Sequence, residues 1–186
     1  MKLYIIAGAN GSGKTTFAKS FASIHKMHFI NADEIAKELD PDNITKHQVK
    51  AGRIFFQELN KRLEEKNSFI IETTLSGKYL VKYIKKAQEN GFEVEMIYLF
   101  LEKPETNIGR VAIRVIGGGH HVPKDDIIRR FYRSQKMFFE VYKDLVDHWE
   151  IYYNSNEIFE KVADIDGIYD HEKMKEFRSI SDDTKN

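Results

Sequence analysis

The chain has 186 residues, no cysteine, and 29 basic side chains against 29 acidic ones. A chain of this length can bury a core of its own, so we predict a single domain spanning residues 1–186. The lack of cysteine excludes disulfides and cysteine-based zinc or redox sites. Balanced charge gives no general attraction to nucleic acid or anionic membranes, and the first apolar run, residues 3–7, is too short to span a bilayer. We therefore expect a cytoplasmic protein with neither nucleic acid nor membrane as a partner.

Short apolar runs alternate along the chain with segments of helical spacing. Runs rich in β-branched and aromatic residues predict strands at Lys2–Ala7, His28–Asn31, Ser68–Glu72, Glu93–Leu101 and Trp149–Tyr153. The predicted helices are Lys14–Ile24, Thr45–Lys66, Ser76–Asn90 and Asp125–Val146, and residues 179–186 are predicted to form a polar tail. This alternation predicts an α/β fold, a mostly parallel sheet with helices on both faces and ligands beyond the carboxyl ends of the strands.

The first predicted strand leads into a glycine-rich loop that fits the phosphate-loop pattern G-x-x-x-x-G-K-[ST]. Its residues, with the threonine that follows, are Gly8, Ala9, Asn10, Gly11, Ser12, Gly13, Lys14, Thr15 and Thr16. Glycines let backbone N–H groups close around a phosphate, and the next helix adds the positive end of its dipole. We expect Lys14 to reach the β- and γ-phosphates of ATP and Thr15 to bind Mg²⁺.

A carboxylate, Asp33, follows the second predicted strand. A kinase needs a carboxylate near the attacking hydroxyl to accept its proton, and Asp33 is placed for that role. The alternative is that Asp33 or Asn31 caps the next helix. We favour the catalytic role because the phosphate loop is predicted at the same edge of the sheet.

Three polar residues, Glu72, Thr73 and Thr74, end the apolar third strand. Their side chains are candidates for orienting the acceptor or a metal-bound water. The alternative is that Thr74 or Ser76 caps the following helix. A glutamate that ends an apolar strand favours the functional interpretation.

Basic residues surround three glycines at 117–119 and mark a predicted helical lid at about residues 103–135. They are Arg110, Arg114, Lys124, Arg129, Arg130 and Arg133. An arginine on a mobile lid can stabilise the charge of a transferred phosphate, although any single arginine could instead lie on a solvated helix face. His120 and His121 lack a third metal ligand at suitable spacing, so we predict that they contact substrate or phosphate, as does Arg130.

Aromatic residues follow this basic segment, namely Phe131, Tyr132, Phe138, Phe139 and Tyr142. They could stack on nucleic-acid bases. Their helical spacing beside apolar neighbours favours the alternative that they belong to the core.

Taken in order, these motifs resemble the zeta-toxin family of P-loop kinases, in particular its short chromosomal members, from residue 1 to about 155. The resemblance is carried by Ala7–Thr16, Ile30–Ala36, Phe69–Gly77, and Gly118–Pro123 followed by Ile128–Phe131. It implies a three-layer P-loop kinase fold with a small helical lid. It also implies that Asp33 is the base, Lys14 the phosphate clamp, Thr15 the Mg²⁺ ligand and Thr74 a substrate contact. The phosphate-stabilising arginine would be Arg114 or, alternatively, Arg110.

The toxins of that family phosphorylate the 3′-hydroxyl of UDP-N-acetylglucosamine. This chain has His120 and His121 close to where the toxins place a second arginine. We therefore expect ATP-dependent phosphorylation of a small-molecule hydroxyl, with a nucleotide sugar of that kind as a candidate acceptor. Two alternatives remain open: a polynucleotide 5′-hydroxyl kinase, and a nucleotide-responsive binding protein that acts through a partner without efficient transfer. An antitoxin partner is also left open.

Overall fold

A computed structural model describes residues 1–41, 43–155 and 158–182. Its strands are β1 (Lys2–Ala7), β2 (His28–Ile30), β3 (Phe69–Thr73), β4 (Glu93–Phe100), β5 (His148–Ser155) and β6 (Ile158–Asp164). Its α-helices are α1 (Lys14–His25), α2 (Ala32–Leu39), α3 (Gln48–Glu65), α4 (Val81–Glu89), α5 (Pro104–Ile116), α6 (Lys124–Met137) and α7 (His171–Asp182). A 3₁₀ turn, Ile44–His47, precedes α3, and a π-helical segment, Phe138–Tyr142, continues α6.

The strands form one sheet in the order β2-β3-β1-β4-β5-β6. Every neighbouring pair is parallel except β5 and β6, which are antiparallel. The register places Ala7, the last residue of β1, beside Thr73 of β3 and Tyr98 of β4. The carboxyl ends of β1, β2 and β3 therefore lie together at one edge, as the sequence pattern predicted for a mostly parallel sheet.

Helices cover both faces of the sheet. On one face, α1 packs Phe17 and Phe21 against Tyr4 and Ile6 of β1. On the other face, side chains of α3, α4, the π-helical segment and α7 pack in one cluster with Leu3 and Ile5. Because successive residues of a strand point to opposite faces, burial on both sides explains why β1 is apolar at consecutive positions.

Two predicted helices have different bounds in the structure. The helix predicted from Ser76 begins only at Val81, since the chain turns sharply at Leu75, which has a φ of 52°. The helix predicted to run to Val146 is α-helical only to Met137 and then widens into the π-helical segment. In these two places, residues 76–80 and the π-helical segment, side chains point toward the sheet edge and the core instead of sharing one regular α-helical face.

Two elements were not predicted. Strand β6 is an antiparallel addition at the sheet edge, and its two exposed positions are Ile158 and Glu160. Helix α7 is mostly charged, but Met174 and Phe177 anchor it in the core. Residues 179–182 of the predicted polar tail belong to α7, while residues 183–186 lie outside the described residues.

The aromatic residues after the basic segment lie in the core, as the favoured interpretation predicted. Phe131, Phe138 and Tyr142 are each at most 2% exposed. Tyr132 and Phe139 are half-buried and pack against buried neighbours. No helix in the described ranges is both long enough and apolar enough to cross a lipid bilayer.

Candidate phosphoryl-transfer site

The phosphate loop joins β1 to α1 in a conformation that only glycine adopts freely. Gly8, Gly11 and Gly13 have φ angles of 140°, 81° and 93°. Gly8 also lies so close to β4 that a Cβ there would be 2.2 Å from the carbonyl oxygen of Leu99. The loop leads directly into the N-terminus of α1, and the N-terminus of a helix is suited to binding a phosphate.

Lys14 lies at the centre of this loop and is only 5% exposed. Its Nζ donates a hydrogen bond to the carbonyl oxygen of Ala9 over 2.8 Å and lies 3.8 Å from Oε1 of Glu72. Burial lowers the pKa of the Lys14 ammonium, and the carboxylates of Glu72 and Asp33 oppose that shift. The ammonium thus lies in a dry site surrounded by acidic and phosphate-binding groups.

Glu72 connects the phosphate loop to β2 and β3. Its Oε2 accepts hydrogen bonds from Thr15 Oγ1 over 2.9 Å and from Asn31 Nδ2 over 2.5 Å. Burial raises the pKa of the Glu72 carboxyl, whereas the Lys14 ammonium lowers it. The hydroxyl and carboxylate oxygens that the sequence assigned to metal and substrate therefore lie side by side.

A cavity of about 540 Å³ opens above the phosphate loop. Besides loop residues, its walls include Glu72, Thr74, Arg110, Arg114 and Phe159. The volume falls within the range of small-molecule sites. We call it the nucleotide cavity.

A second cavity of about 320 Å³ lies beside the first and contains Asp33 in its wall. Glu72 and Thr74 line both cavities. Its remaining walls come from α3, the turn after β3 and α6, and include Gln48, Gly52, Phe55, Phe56, Tyr79 and Arg130. We call it the acceptor cavity, because two adjoining cavities that share a carboxylate and a hydroxyl fit a donor and an acceptor of phosphate.

Asp33 does not serve as the cap of α2. The cap is Asn31, whose Oδ1 accepts hydrogen bonds from the backbone N–H groups of Asp33 and Glu34. The Asp33 carboxylate is exposed in the first turn of the helix and faces the acceptor cavity. The structure therefore removes the capping explanation that the sequence had left open for this residue.

The turn after β3 presents Thr74 and Ser76 to the acceptor cavity. Thr73 Oγ1 lies 2.5 Å from the Tyr79 hydroxyl and accepts from the N–H of Leu75, so Thr73 supports the turn from within. Thr74 and Ser76 hydrogen-bond to each other over 3.1 Å. Neither caps α4, which begins after Leu80 without a side-chain cap.

The predicted arginines divide into two groups. Arg110 and Arg114 line the nucleotide cavity, and Arg130 lines the acceptor cavity. Arg129 pairs instead with Asp126 over 2.7 Å on the exposed side of α6, and Arg133 is exposed. The helix face thus selects which guanidinium groups can reach a phosphate.

The two neighbouring histidines are placed differently. His120 Nε2 lies 2.8 Å from Nε2 of Gln48, and its carbonyl oxygen accepts a hydrogen bond from Arg114 over 2.9 Å. Burial lowers the pKa of the His120 imidazole, while nearby Asp33 opposes the shift. His121 is exposed, and neither histidine lines either cavity.

Sequence reasoning missed several residues that shape the site. Gly52, Phe55 and Phe56 form the α3 wall of the acceptor cavity, and their place in the predicted helix Thr45–Lys66 gave no indication of a site. Asn107 and Asn154 are buried and hydrogen-bond to the phosphate loop, and Asn154 also lines the nucleotide cavity. An asparagine inside a helix is unfavourable by propensity, which was the one signal available for Asn107.

No group of three or more histidine, aspartate or glutamate side chains among the described residues could hold a metal ion by itself. Any metal here would therefore share its shell between Thr15, its neighbours and a bound phosphate. Hydroxyl and carboxylate oxygens are ligands that suit Mg²⁺ under those conditions.

The fold and the phosphate loop define the class of P-loop phosphotransferases. Within it, the chain belongs to the Zeta toxin family, whose model matches residues 2–164. An uncharacterised protein of Haemophilus influenzae is 33% identical over 130 residues, which are 70% of this chain and 92% of that protein.

Solved structures share the fold at low sequence identity. A chain from the PezAT chromosomal toxin–antitoxin system of Streptococcus pneumoniae matches with a TM-score of 0.67 and 16% identity, over 97% of this chain and 84% of that one. The AvrRxo1-ORF1:ORF2 complex with ATP gives 0.76 and 16%, over 97% of this chain and 63% of that one. The Pnkp1/Rnl/Hen1 RNA repair complex gives 0.64 and 22%, over 75% of this chain and 45% of that one.

Proposed function

We propose that this protein transfers the γ-phosphate of ATP to a hydroxyl group of a small molecule. The observation that carries the proposal is the pair of adjoining cavities, one built on the phosphate loop and one containing Asp33. A site that only bound or hydrolysed ATP would not need a second walled cavity beside the phosphate loop. Membership of the Zeta toxin family and the ATP complex of the AvrRxo1 protein support the same donor.

In the proposed reaction, the acceptor hydroxyl enters the acceptor cavity and attacks the γ-phosphorus. The oxygen–phosphorus bond to the acceptor forms, the bond from the γ-phosphorus to the bridging oxygen breaks, and ADP leaves with that electron pair. Asp33 accepts the hydroxyl proton. Lys14, with Arg114 or Arg110, stabilises the charge on the transferred group.

Thr15 and Glu72 are the residues that would hold Mg²⁺ beside the phosphates. Their oxygens are 2.9 Å apart and lie in a site that is largely closed to solvent. The ion would supply charge neutralisation on the β- and γ-phosphates. The protein's own part is to keep the Thr15 hydroxyl oriented through Glu72, which Asn31 holds from the other side.

The candidate acceptor is a nucleotide sugar resembling UDP-N-acetylglucosamine. The acceptor cavity combines polar groups, Thr74, Ser76 and Gln48, with an aromatic wall formed by Phe56 and Tyr79. Such a mixture suits a sugar ring, which has hydroxyl groups and an apolar face. An antitoxin-like protein partner is a further proposal, supported by the toxin–antitoxin system from which the Streptococcus pneumoniae chain comes.

The test is mass spectrometry of reactions that contain ATP and one acceptor class at a time: UDP-sugars, nucleosides or oligonucleotides. A product about 80 Da heavier than a UDP-sugar, the mass of one added phosphoryl unit, supports the proposal. The same gain on an oligonucleotide alone would favour a polynucleotide kinase. ADP formation with no modified acceptor would refute transfer to these hydroxyls.

A further inference from the structure

Two buried asparagines brace the phosphate loop, and one of them, Asn154, also lines the nucleotide cavity. Asn107 Nδ2 donates a hydrogen bond to the carbonyl oxygen of Asn10 over 2.6 Å, and Asn154 Nδ2 donates to that of Ser12 over 3.0 Å. The side chains come from α5 and β5 and are 0% and 2% exposed. Both side chains donate to carbonyl oxygens of the loop, so neither contact uses a backbone N–H group that could bind a phosphate.

The glycines of the loop make room for these two asparagines. A Cβ on Gly11 would lie 2.6 Å from the carbonyl oxygen of Asn107, and one on Gly13 would lie 2.2 Å from Nδ2 of Asn154. Contacts that short do not occur, so neither asparagine could approach a loop with larger residues there. The glycines therefore make room for the two asparagine contacts as well as for the approach of phosphate.

Asn107 shares a helix with the arginines of the nucleotide cavity. Arg110 and Arg114 follow it by three and seven residues, so all three lie on one face of α5. Arg110 and Arg114 line the nucleotide cavity from that face. One hydrogen bond thus ties the first turns of the arginine-bearing helix to the loop that would receive the phosphates.

Asn10 is also joined to the second helix of the predicted lid. Its Oδ1 accepts a hydrogen bond from Arg130 of α6 over 3.2 Å, while its carbonyl oxygen is held by Asn107 of α5. The Oδ1 of Asn107 itself is buried and has no hydrogen-bond partner among the described residues. Burying a side-chain amide whose oxygen has no hydrogen-bond partner costs stability. The hydrogen bond that Asn107 donates to Asn10 explains why an asparagine stands at this position.

We propose that Asn107 is a positioning residue for phosphoryl transfer, which sets the distance between the phosphate loop and Arg114. The inference rests on the proposed function, because this arginine matters only if a phosphate is transferred. A displacement of about 1 Å can cost about a hundredfold in rate. Asn154 differs in how it contacts the arginines of α5: its backbone carbonyl oxygen accepts a hydrogen bond from Arg110 over 3.2 Å, while its side chain donates to the loop.

The experiment measures by calorimetry how much tighter Mg²⁺ and ADP bind when aluminium fluoride, a mimic of the transferred phosphoryl group, is added. The variants are Asn107→Leu, which keeps the volume without the donor, Arg114→Ala and the double variant. We expect Asn107→Leu to bind ADP within about twofold of the wild type but to lose between about tenfold and a hundredfold of the tightening. In the double variant Arg114 is already missing, so Asn107→Leu should cause little further loss of the tightening.

Each other outcome has a distinct meaning. Full tightening in Asn107→Leu, or a loss that adds to that of Arg114→Ala, overturns the positioning role and leaves the proposed function standing. No tightening in the wild type refutes the proposed transfer site and the inference with it. Thermal unfolding verifies each variant, and Asn107→Ala replaces Asn107→Leu if the larger side chain prevents folding. A companion Asn154→Ala variant should weaken ADP binding itself rather than the tightening alone.

Discussion

Thr15 donates a hydrogen bond from its Oγ1 to Oε2 of Glu72 over 2.9 Å, which joins the phosphate loop to the end of β3. The two residues are 57 positions apart in sequence, and the parallel register of β1 and β3 brings them together. The same carboxylate lies 3.8 Å from Lys14 and lines both cavities. Glu72 is therefore the point at which the nucleotide cavity and the acceptor cavity meet.

The first prediction concerns metal binding. Glu72→Gln keeps the shape of the side chain but removes the charge that orients the Thr15 hydroxyl. Partners of metal-binding groups typically contribute about ten- to a hundredfold in metal affinity, so the Mg²⁺ concentration for half-maximal turnover should rise by that factor. Magnesium titration of ATP turnover measures it. An unchanged titration curve would show that Glu72 has no part in holding the ion.

Glu72 also predicts a pH dependence of stability. Because burial raises its pKa in the folded state, the folded chain holds this proton more tightly than the unfolded chain, whose glutamate titrates near pH 4.3. The contribution of Glu72 to stability is thus fully present below that pH and falls as pH rises through the folded pKa. The free energy of unfolding of Glu72→Gln should improve relative to the wild type between about pH 4.5 and 6.5. Urea denaturation at both pH values tests this, and a constant difference would contradict it.

Lys14→Ala should weaken the binding of ATP. Hydrogen bonds to charged groups contribute about 1.5–3 kcal/mol, so we expect the dissociation constant to rise by about ten- to a hundredfold, measured by calorimetry. Lys19→Ala is the matched control, because Lys19 lies on the same helix and pairs with Glu34 at the surface. Equal ATP affinity in the wild type and Lys14→Ala would contradict the assignment of the phosphate loop as the nucleotide-binding site.

Gly52→Leu should obstruct the acceptor without affecting ATP. Gly52 lines the acceptor cavity, and a Cβ there would have no atom within 4 Å, so a larger side chain can project into the open space. We expect the KM for the acceptor to rise at least about tenfold, because a loss of about 1.4 kcal/mol of binding free energy corresponds to a factor of ten. The control is Gly109→Leu, where a Cβ is equally free of contacts but α5 is exposed. An equal KM in both variants would place the acceptor elsewhere.

The fold could be predicted from the sequence because its signals are local. Consecutive apolar residues identified the central strands, and the glycine pattern fixed the turn between β1 and α1. Helix α7 could not be predicted, because its two core anchors, Met174 and Phe177, are surrounded by charged residues. Its helical structure depends on the packing surface that the rest of the chain provides.

The site was only partly predictable for a similar reason. Lys14, Thr15 and Asp33 follow strands and Glu72 lies near the end of β3, all at one edge, so the sheet topology places them together. Asn107 lies 97 residues from its partner Asn10, and no local pattern marks that contact. Likewise, the choice between Arg110, Arg114, Arg129 and Arg130 depends on helix orientation, which the three-dimensional packing decides.

The most direct test of the account compares the wild type with Asp33→Asn in reactions with ATP and the panel of acceptors. The wild type should yield one acceptor class about 80 Da heavier, and Asp33→Asn should lose about 10²- to 10⁴-fold of that rate while binding ATP normally. Glu34→Gln, one residue along the same helix, is the control and should keep the activity. A wild type that converts ATP to ADP without modifying any acceptor, or an Asp33→Asn variant with unchanged turnover, would contradict the assignment of Asp33 as the base of a phosphotransferase.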